Sequence, residues 1–231
     1  MANDLKQADS RVATYFRRCL TLNPKLGKKY SVSVLIPAYN EEDTIGQTIK
    51  AVFDSDYKFE EVIVLNDGSK DKTGEIAESF KKKYKNLIVI NKTNSGKADT
   101  LNQGIKLAKG ELVAVVDADS YPEKDAFKKL IGFFKDTEIG VATPFILPRN
   151  KTTFIERLQA TEYNVIAFTR KLFGYVDAIY VTPGPLAIYR KSALEKVGGF
   201  DPDNMTEDIE LTWHLTKEGY KRAMCLNARA T

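Results

Sequence analysis

The stretch Glu111-Leu-Val-Ala-Val-Val-Asp117-Ala-Asp119 decides how the rest of the chain is read. An apolar run, Leu112 to Val116, ends in two carboxylates separated by one alanine. Small and β-branched residues without polar alternation predict a strand covered on both faces, as in a parallel sheet. Such sheets offer their ligand site at the carboxyl ends of the strands, where Asp117 and Asp119 stand. Residues two apart in an extended chain point to the same side. The pair is therefore expected to favour a divalent cation between itself and a ligand. The plainer alternative is a strand-end turn, because Asp bonds nearby backbone N–H groups.

Upstream, Ser31 to Ile36 reads as the first strand and Pro37 stops it. Ala38-Tyr39-Asn40-Glu41-Glu42 leads into a helix, with Asn40 as its N-cap and Ile45, Ile49, Val52 and Phe53 at helical spacing. Glu61 to Leu65 is a second strand, running into Asn66-Asp67-Gly68-Ser69-Lys70-Asp71 ahead of a helix over about 72–82. A third strand covers 87–90, a loop 91–96 and a helix 97–108. Four strands alternating with three helices predict an α/β fold, a doubly wound, mostly parallel sheet with helices on both faces. Four polar loops then converge on one rim, the geometry of a nucleotide site. Neither G-x-G-x-x-G nor a P-loop is present, which disfavours an ordinary dinucleotide or ATP site.

Downstream, Pro122 and Glu123 are expected to start a helix with Phe127, Leu130, Ile131 and Phe134 as its buried stripe. A strand follows at 140–143, and an aromatic-rich helix over 152–175 is broken by Gly174. Thr182-Pro183-Gly184-Pro185 is a rigid loop before a strand at 186–189. A short helix covers 192–197. Thr206-Glu207-Asp208 precedes a helix through Leu215, and 222–226 reads as a last strand. Asp208 standing alone reads as a helix cap. Trp213 reads as core, and His214, the only histidine, as structural.

The chain has 231 residues, 43% hydrophobic and 29% charged, enough for one large α/β domain or two small ones. Its net charge of +4 is too balanced for a dedicated nucleic-acid binder. Cys19 and Cys225 stand in unrelated contexts without metal-ligand spacing, so zinc is not expected and a reduced setting is the simpler reading. No segment approaches the ~20 apolar residues of a membrane helix, and the N-terminus lacks the apolar core of a signal peptide. Residues 1–30 form a basic leader in which Val12, Phe16, Cys19 and Leu20 line one face of an amphipathic helix. A flexible leader is the alternative.

In order and spacing, Ile36-Pro-Ala-Tyr-Asn-Glu41, Asn66-Asp-Gly-Ser69 with Asp71 and Thr73, Asn94-Ser-Gly-Lys97 with Leu101-Asn102, Asp117-Ala-Asp119, Gly184 to Arg190 and Thr206-Glu-Asp208 resemble the family 2 inverting glycosyltransferases of GT-A fold. The likeness is greatest to the catalytic domains of processive cellulose, chitin, hyaluronan and poly-N-acetylglucosamine synthases. It runs over about 32–226, within an expected catalytic domain 31–231.

The resemblance implies transfer of N-acetylglucosamine or glucose from a UDP-sugar to a growing β-linked glycan. A non-processive glycolipid or glycoprotein transferase and a nucleotide-sugar-binding module without turnover are the alternatives. It further implies that Pro37, Tyr39, Glu41 and Asp67 hold the nucleoside, that Lys97 lies near ribose and phosphates, and that Asp117 contacts the nucleotide sugar. Asp119 would bind Mg2+ or Mn2+, Asp208 would be the general base, and Gly184 and Glu207 would stand on the acceptor side. The implied partners are a UDP-sugar, a glycan or glycolipid acceptor and a membrane domain of a parent protein, with no nucleic acid. The implied location is the cytoplasmic face of a membrane. Two departures from the family stand out. Asn66 occupies a place where the family has an acid, and no Q-x-x-R-W follows Asp208.

Overall fold

The computed structural model describes residues 27–150, 152–204 and 206–231. Most of the expected leader helix, with Cys19, lies outside the described residues.

Among these residues seven strands form one sheet in the order β3-β2-β1-β4-β6-β5-β7. They are β1 (Val32–Ala38), β2 (Glu61–Asp67), β3 (Leu87–Lys92), β4 (Leu112–Val115), β5 (Ile139–Ile146), β6 (Ala187–Arg190) and β7 (Lys221–Ala230). The first four run parallel to one another. β6 lies antiparallel between β4 and β5, and β5 is parallel to β7. The helices are α1 (Ile45–Phe53), α2 (Thr73–Ser79), α3 (Lys97–Leu107), α4 (Ala126–Ile131), α5 (Phe154–Phe173), α6 (Lys191–Val197) and α7 (Glu207–Lys217).

The unbroken apolar strands are buried on both faces, and alternate residues feed two cores. Val32, Val34 and Ile36 of β1 pack with Ile45 and Ile49 of α1 and with Phe127 and Leu130 of α4. Leu35 joins Ile63, Leu65, Leu101 and Ile105, with Leu211 and Leu215 of α7, on the other face. Each such side chain, fully removed from water, contributes about 1.5–3 kcal/mol. Helix α3 lies close on the sheet. A Cβ built on Gly104 would stand 2.6 Å from Leu65 Cδ1 and 2.9 Å from Leu35 Cδ1.

Several boundaries differ from expectation, each for a local reason. Asn40 does not cap α1, whose N-cap is Thr44. Instead Asn40 is left-handed, with φ 55°, and its Oδ1 accepts from Lys70 N at 2.8 Å. Pro122 does not begin a helix. It bridges Ala230, and Tyr121 N and Glu123 N donate to Thr231 O and Arg229 O at 2.7 and 3.0 Å. The flanking chain is thus held extended, and α4 begins only at Ala126. β7 continues past Leu226 to Ala230 because a bulge re-registers it, Pro144 facing Cys225 and Phe145 facing Arg229. Trp213 is 63% exposed rather than core, since the buried positions of α7 are Leu211, Thr212 and Leu215. His214 bonds Glu210 one turn back, Nε2 to Oε1 at 2.8 Å.

Helix α5 starts in a full capping box, Thr153 Oγ1 accepting from Glu156 N while Glu156 accepts from Thr153 N. Over its 20 residues only Ala160, Ala167 and Lys171 are buried. Phe154, Ile155, Leu158, Val165 and Phe168 are exposed. Among the described residues no helix is long and apolar enough to cross a membrane.

Candidate active site

The carboxyl ends of β1, β2 and β4 and the N-terminus of α3 enclose a cleft of about 240 Å³. Its walls are Pro37, Ala38, Tyr39, Glu41, Asp67, Lys97, Thr100, Asp117, Ala118 and Asp119. The seven residues expected on the donor and metal side therefore share one cavity.

The first two loops of the rim are sewn to each other. Asn40 N donates to Ser69 Oγ at 3.0 Å, Glu41 N to Thr73 Oγ1 at 2.7 Å and Glu42 N to Asp71 Oδ2 at 3.1 Å. Lys72 N donates back to Glu42 Oε2 at 3.0 Å. Ser69, Asp71 and Thr73 thus fix the shape of the rim. Asn66, the departure from the family pattern, is a structural link. Its Nδ2 donates to Asn91 Oδ1 at 2.8 Å and its Oδ1 accepts from Ser69 N at 3.2 Å. Tyr39 is left 46% exposed at the mouth, and the Glu41 carboxylate accepts from Thr44 Oγ1 at 2.7 Å.

Asp67 is buried and takes donors on both oxygens. Oδ1 accepts from Lys92 Nζ at 2.6 Å and Ser95 N at 2.9 Å, and Oδ2 from Gly96 N at 2.9 Å. Burial pushes its carboxyl up, but the Lys92 ammonium, the Ser95 N–H and Thr100 outweigh it and hold it below the ordinary carboxylate value. Lys92 was not among the residues singled out from sequence, although a signal exists: Asp67 and Lys92 are register partners across β2 and β3.

Asp117 and Asp119 do not form the extended, same-side pair expected of them. β4 ends at Val115, and Ser120 N closes a turn on Asp117 O at 3.0 Å. Thr48 Oγ1 holds the turn through Ala118 O at 2.6 Å. The two carboxylates therefore take different surroundings. Asp117 Oδ1 pairs with Lys97 Nζ at 2.7 Å. Asp119 is exposed on the cleft, with Ser120 Oγ donating to it at 3.3 Å.

Lys97, the first residue of α3, joins this cleft to a second, narrow recess lined by Gly184, Tyr189, Glu207 and Asp208. Its Nζ lies 3.9 Å from Glu207 Oε1. Burial lowers the Lys97 ammonium, but Asp117, with Glu207 and Asp208 behind it, raises it above its ordinary value. Gly184 packs against this pair so closely that a Cβ there would lie 2.7 Å from Asp117 Oδ2 and 3.3 Å from Lys97 Nζ. Thr182 anchors the loop through hydrogen bonds to Tyr189 OH and Thr212 Oγ1, 3.3 and 2.9 Å. Asp208 is the second residue of α7, and its Oδ1 accepts from Ile209 N at 2.8 Å. Burial pushes the Tyr189 phenol well up, so the hydroxyl stays neutral.

Among the described residues no three His, Cys, Asp or Glu side chains gather to hold a metal ion by themselves. Asp119 nonetheless suits Mg2+ or Mn2+. Such ions keep several waters and bind through one or two carboxylates together with substrate phosphates, and an exposed carboxylate at a cleft mouth meets that requirement.

Comparison with known proteins identifies the family and the fold. Poly-β-1,6-N-acetyl-D-glucosamine synthase of Staphylococcus epidermidis is 35% identical over 217 residues, covering 91% of this chain and 53% of the relative. That of Staphylococcus aureus MSSA476 is 34% identical, with coverage of 90% and 53%. The chain thus spans about half the length of these relatives. Among solved structures, the mannosyltransferase PcManGT of Pyrobaculum calidifontis, in complex with GDP-Man and Mn2+, superposes with a TM-score of 0.75 at 22% identity, covering 99% of this chain and 66% of that one. Residues 1–349 of S. aureus TarS give 0.65 at 25% identity, covering 87% and 60%. These are GT-A folds, and the seven-stranded sheet here is of that kind. The model of glycosyl transferase family 2 matches residues 33–198, the span that carries the whole rim of the cleft, and the chain belongs to that family.

Proposed function

We propose that this chain is the catalytic domain of an inverting, metal-dependent transferase that moves N-acetylglucosamine or glucose from a UDP-sugar to a growing β-linked glycan. The observation that carries the reading is one of placement. Pro37, Tyr39, Glu41, Asp67, Lys97, Asp117 and Asp119 share a cleft, and Lys97 also lines the recess of Asp208. The name of the curated relatives supports N-acetylglucosamine as the sugar.

In this reading the uridine lies against Pro37, Tyr39, Glu41 and Asp67, and the diphosphate reaches toward Lys97 and Asp119. The ammonium of Lys97, already held by Asp117, stands beside the leaving group as negative charge develops on the β-phosphate. A divalent ion on Asp119 would supply further charge neutralisation at the diphosphate. Asp208 accepts the acceptor hydroxyl proton as that oxygen bonds the anomeric carbon and the bond to UDP breaks. Attack comes from the face opposite UDP, so configuration inverts. The exposed apolar residues of α5 and the half-length coverage of the relatives support a place at the cytoplasmic face of a membrane, beside further segments of a parent synthase. A glycan or glycolipid acceptor would meet the domain there.

The test is transfer from radiolabelled UDP-N-acetylglucosamine and UDP-glucose, with Mn2+, to an oligosaccharide primer. Replacing Asp208→Asn is expected to lower transfer by roughly 10²–10⁴-fold while UDP binding is retained. Wild-type protein that binds UDP but neither hydrolyses nor transfers donor would instead make this a binding module. Full transfer by the Asn variant would remove Asp208 as the base.

A further inference from the structure

Three buried hydroxyls stand in a row behind the recess of Asp208. Tyr189 OH lies 3.3 Å from Thr182 Oγ1, and Thr182 Oγ1 lies 2.9 Å from Thr212 Oγ1. Thr212 Oγ1 in turn donates to Asp208 O at 2.6 Å. All three residues are buried, and they come from β6, from the 182–185 loop and from α7. A hydroxyl has one proton to give, so the last bond sets the sense of the others. The Thr212 proton is committed to Asp208 O; Thr182 therefore donates to Thr212, and Tyr189 donates to Thr182.

The row joins two parts of the proposed reaction. Two residues on from Thr182, Gly184 packs so closely that a Cβ there would stand 2.7 Å from Asp117 Oδ2 and 3.3 Å from Lys97 Nζ. Pro183 and Pro185 flank it and stiffen the loop, so a shift at Thr182 is passed on to Gly184. At the other end the row holds the backbone of Asp208 itself. That hold matters because Thr206, the N-cap of α7, makes no side-chain cap bond, and a helix start without its cap frays. A threonine bonded to the carbonyl four residues back is by itself an ordinary local feature of helices. Here Thr182 continues the bond out of the helix and into the loop that touches Lys97 and Asp117. The spacing between these groups is worth fixing, since a misplacement of about 1 Å can cost on the order of 10²-fold in rate.

We propose that Thr182 and Thr212 are positioning residues, whose mutual hydrogen bond clamps the 182–185 loop to the first turn of α7 and so fixes the Asp208 carboxylate at one distance from the Lys97–Asp117 pair. The assignment rests on the proposed transferase reading and adds residues that act through its base. Thr182→Val keeps the shape of the side chain and removes the clamp. Thr212→Val cuts the same bond from the other side and should reproduce each result. Transfer from UDP-N-acetylglucosamine with Mn2+ to the oligosaccharide primer is measured on the full chain. Thr182→Val is expected to lower kcat by about 10–10²-fold, with donor KM and UDP affinity unchanged, and Thr182→Ser to restore it. In the Asp208→Asn background Thr182→Val should cost nothing further, because it acts through that carboxylate. Amide hydrogen exchange in the UDP-saturated protein gives a readout free of turnover. Residues 207–211 should exchange about tenfold or more faster in Thr182→Val but not in Thr182→Ser. Unaltered exchange at 207–211 in Thr182→Val would overturn the clamp, as would an undiminished kcat or an equal loss in the Asp208→Asn background. Faster exchange at 207–211 in a protein that transfers no sugar would keep the clamp and remove the catalytic reading.

Discussion

Removing the charge of Asp67 tests one role of the rim, holding the 92–96 loop in place. In Asp67→Asn, the carboxylate that accepts from Lys92 Nζ, Ser95 N and Gly96 N becomes an amide with one acceptor oxygen and an NH2 group. The Lys92 and Asp67 side chains are 11% and 6% exposed. The cost of breaking a buried pair, about 3–5 kcal/mol, therefore applies, rather than the roughly 0.2–1 kcal/mol of a surface pair. Against a total stability of about 5–15 kcal/mol that is a large share, and it corresponds to a drop in Tm of roughly 6–20 °C.

Urea denaturation of wild type, Asp67→Asn, Lys92→Met and the double variant gives the coupling, expected at about 1–3 kcal/mol. The folded carboxyl is held below its ordinary value of 3.8. The stability it contributes is fully present above that value and is lost as pH falls through the lowered one. The gap between wild type and Asp67→Asn should therefore be constant at neutral pH and shrink below about pH 4. A cost under about 1 kcal/mol, or a gap unchanged at strongly acid pH, would refute the view that Asp67 anchors the loop that presents Lys97.

Two further outcomes follow from distances. Gly104→Ala puts a methyl 2.6 Å from Leu65 Cδ1. Its overpacking cost of about 1–3 kcal/mol should exceed the helix-propensity gain of about 1 kcal/mol, so the denaturation midpoint falls; a rise would show that α3 can lift off the sheet. Asp119→Ala should lower UDP affinity in Mn2+ to the level that the wild type shows with chelator, measured by calorimetry, and equal wild-type binding with and without Mn2+ would end the metal assignment.

Much of this was legible in the chain itself, because local causes dominate. The apolar runs around Leu35, Val64 and Val113 are buried on both sides, so they read as interior strands, and the polar residues at their ends could only collect at one rim. What escaped depends on contacts between distant segments. Asn40 looked like a helix cap, but its backbone is bent left-handed to meet Lys70, thirty residues on. Pro122 looked like a helix start, yet its neighbours pair with the end of β7. Lys92 falls in the expected 91–96 loop, and only the longer β3 and its register set it beside Asp67. The same-side geometry assumed for Asp117 and Asp119 holds for extended chain, whereas the turn closed by Ser120 gives each carboxylate its own setting.

The reversed direction of β6 bears on how such a domain can diversify. β4 and β6 lie side by side but point opposite ways, so the mouth that receives the exit of one receives the entrance of the other. Everything between the end of β5 at Ile146 and the start of β6 at Ala187 is an excursion whose two ends are moored to neighbouring strands. Its earlier part can vary in length without breaking the pairing of β5 with β6, whereas Thr182 and Gly184 are fixed by Tyr189, Thr212, Asp117 and Lys97. The half built on β1 to β4 can thus stay constant while the facing half is retailored, and exchanging 147–181 between relatives is the graft that the architecture invites.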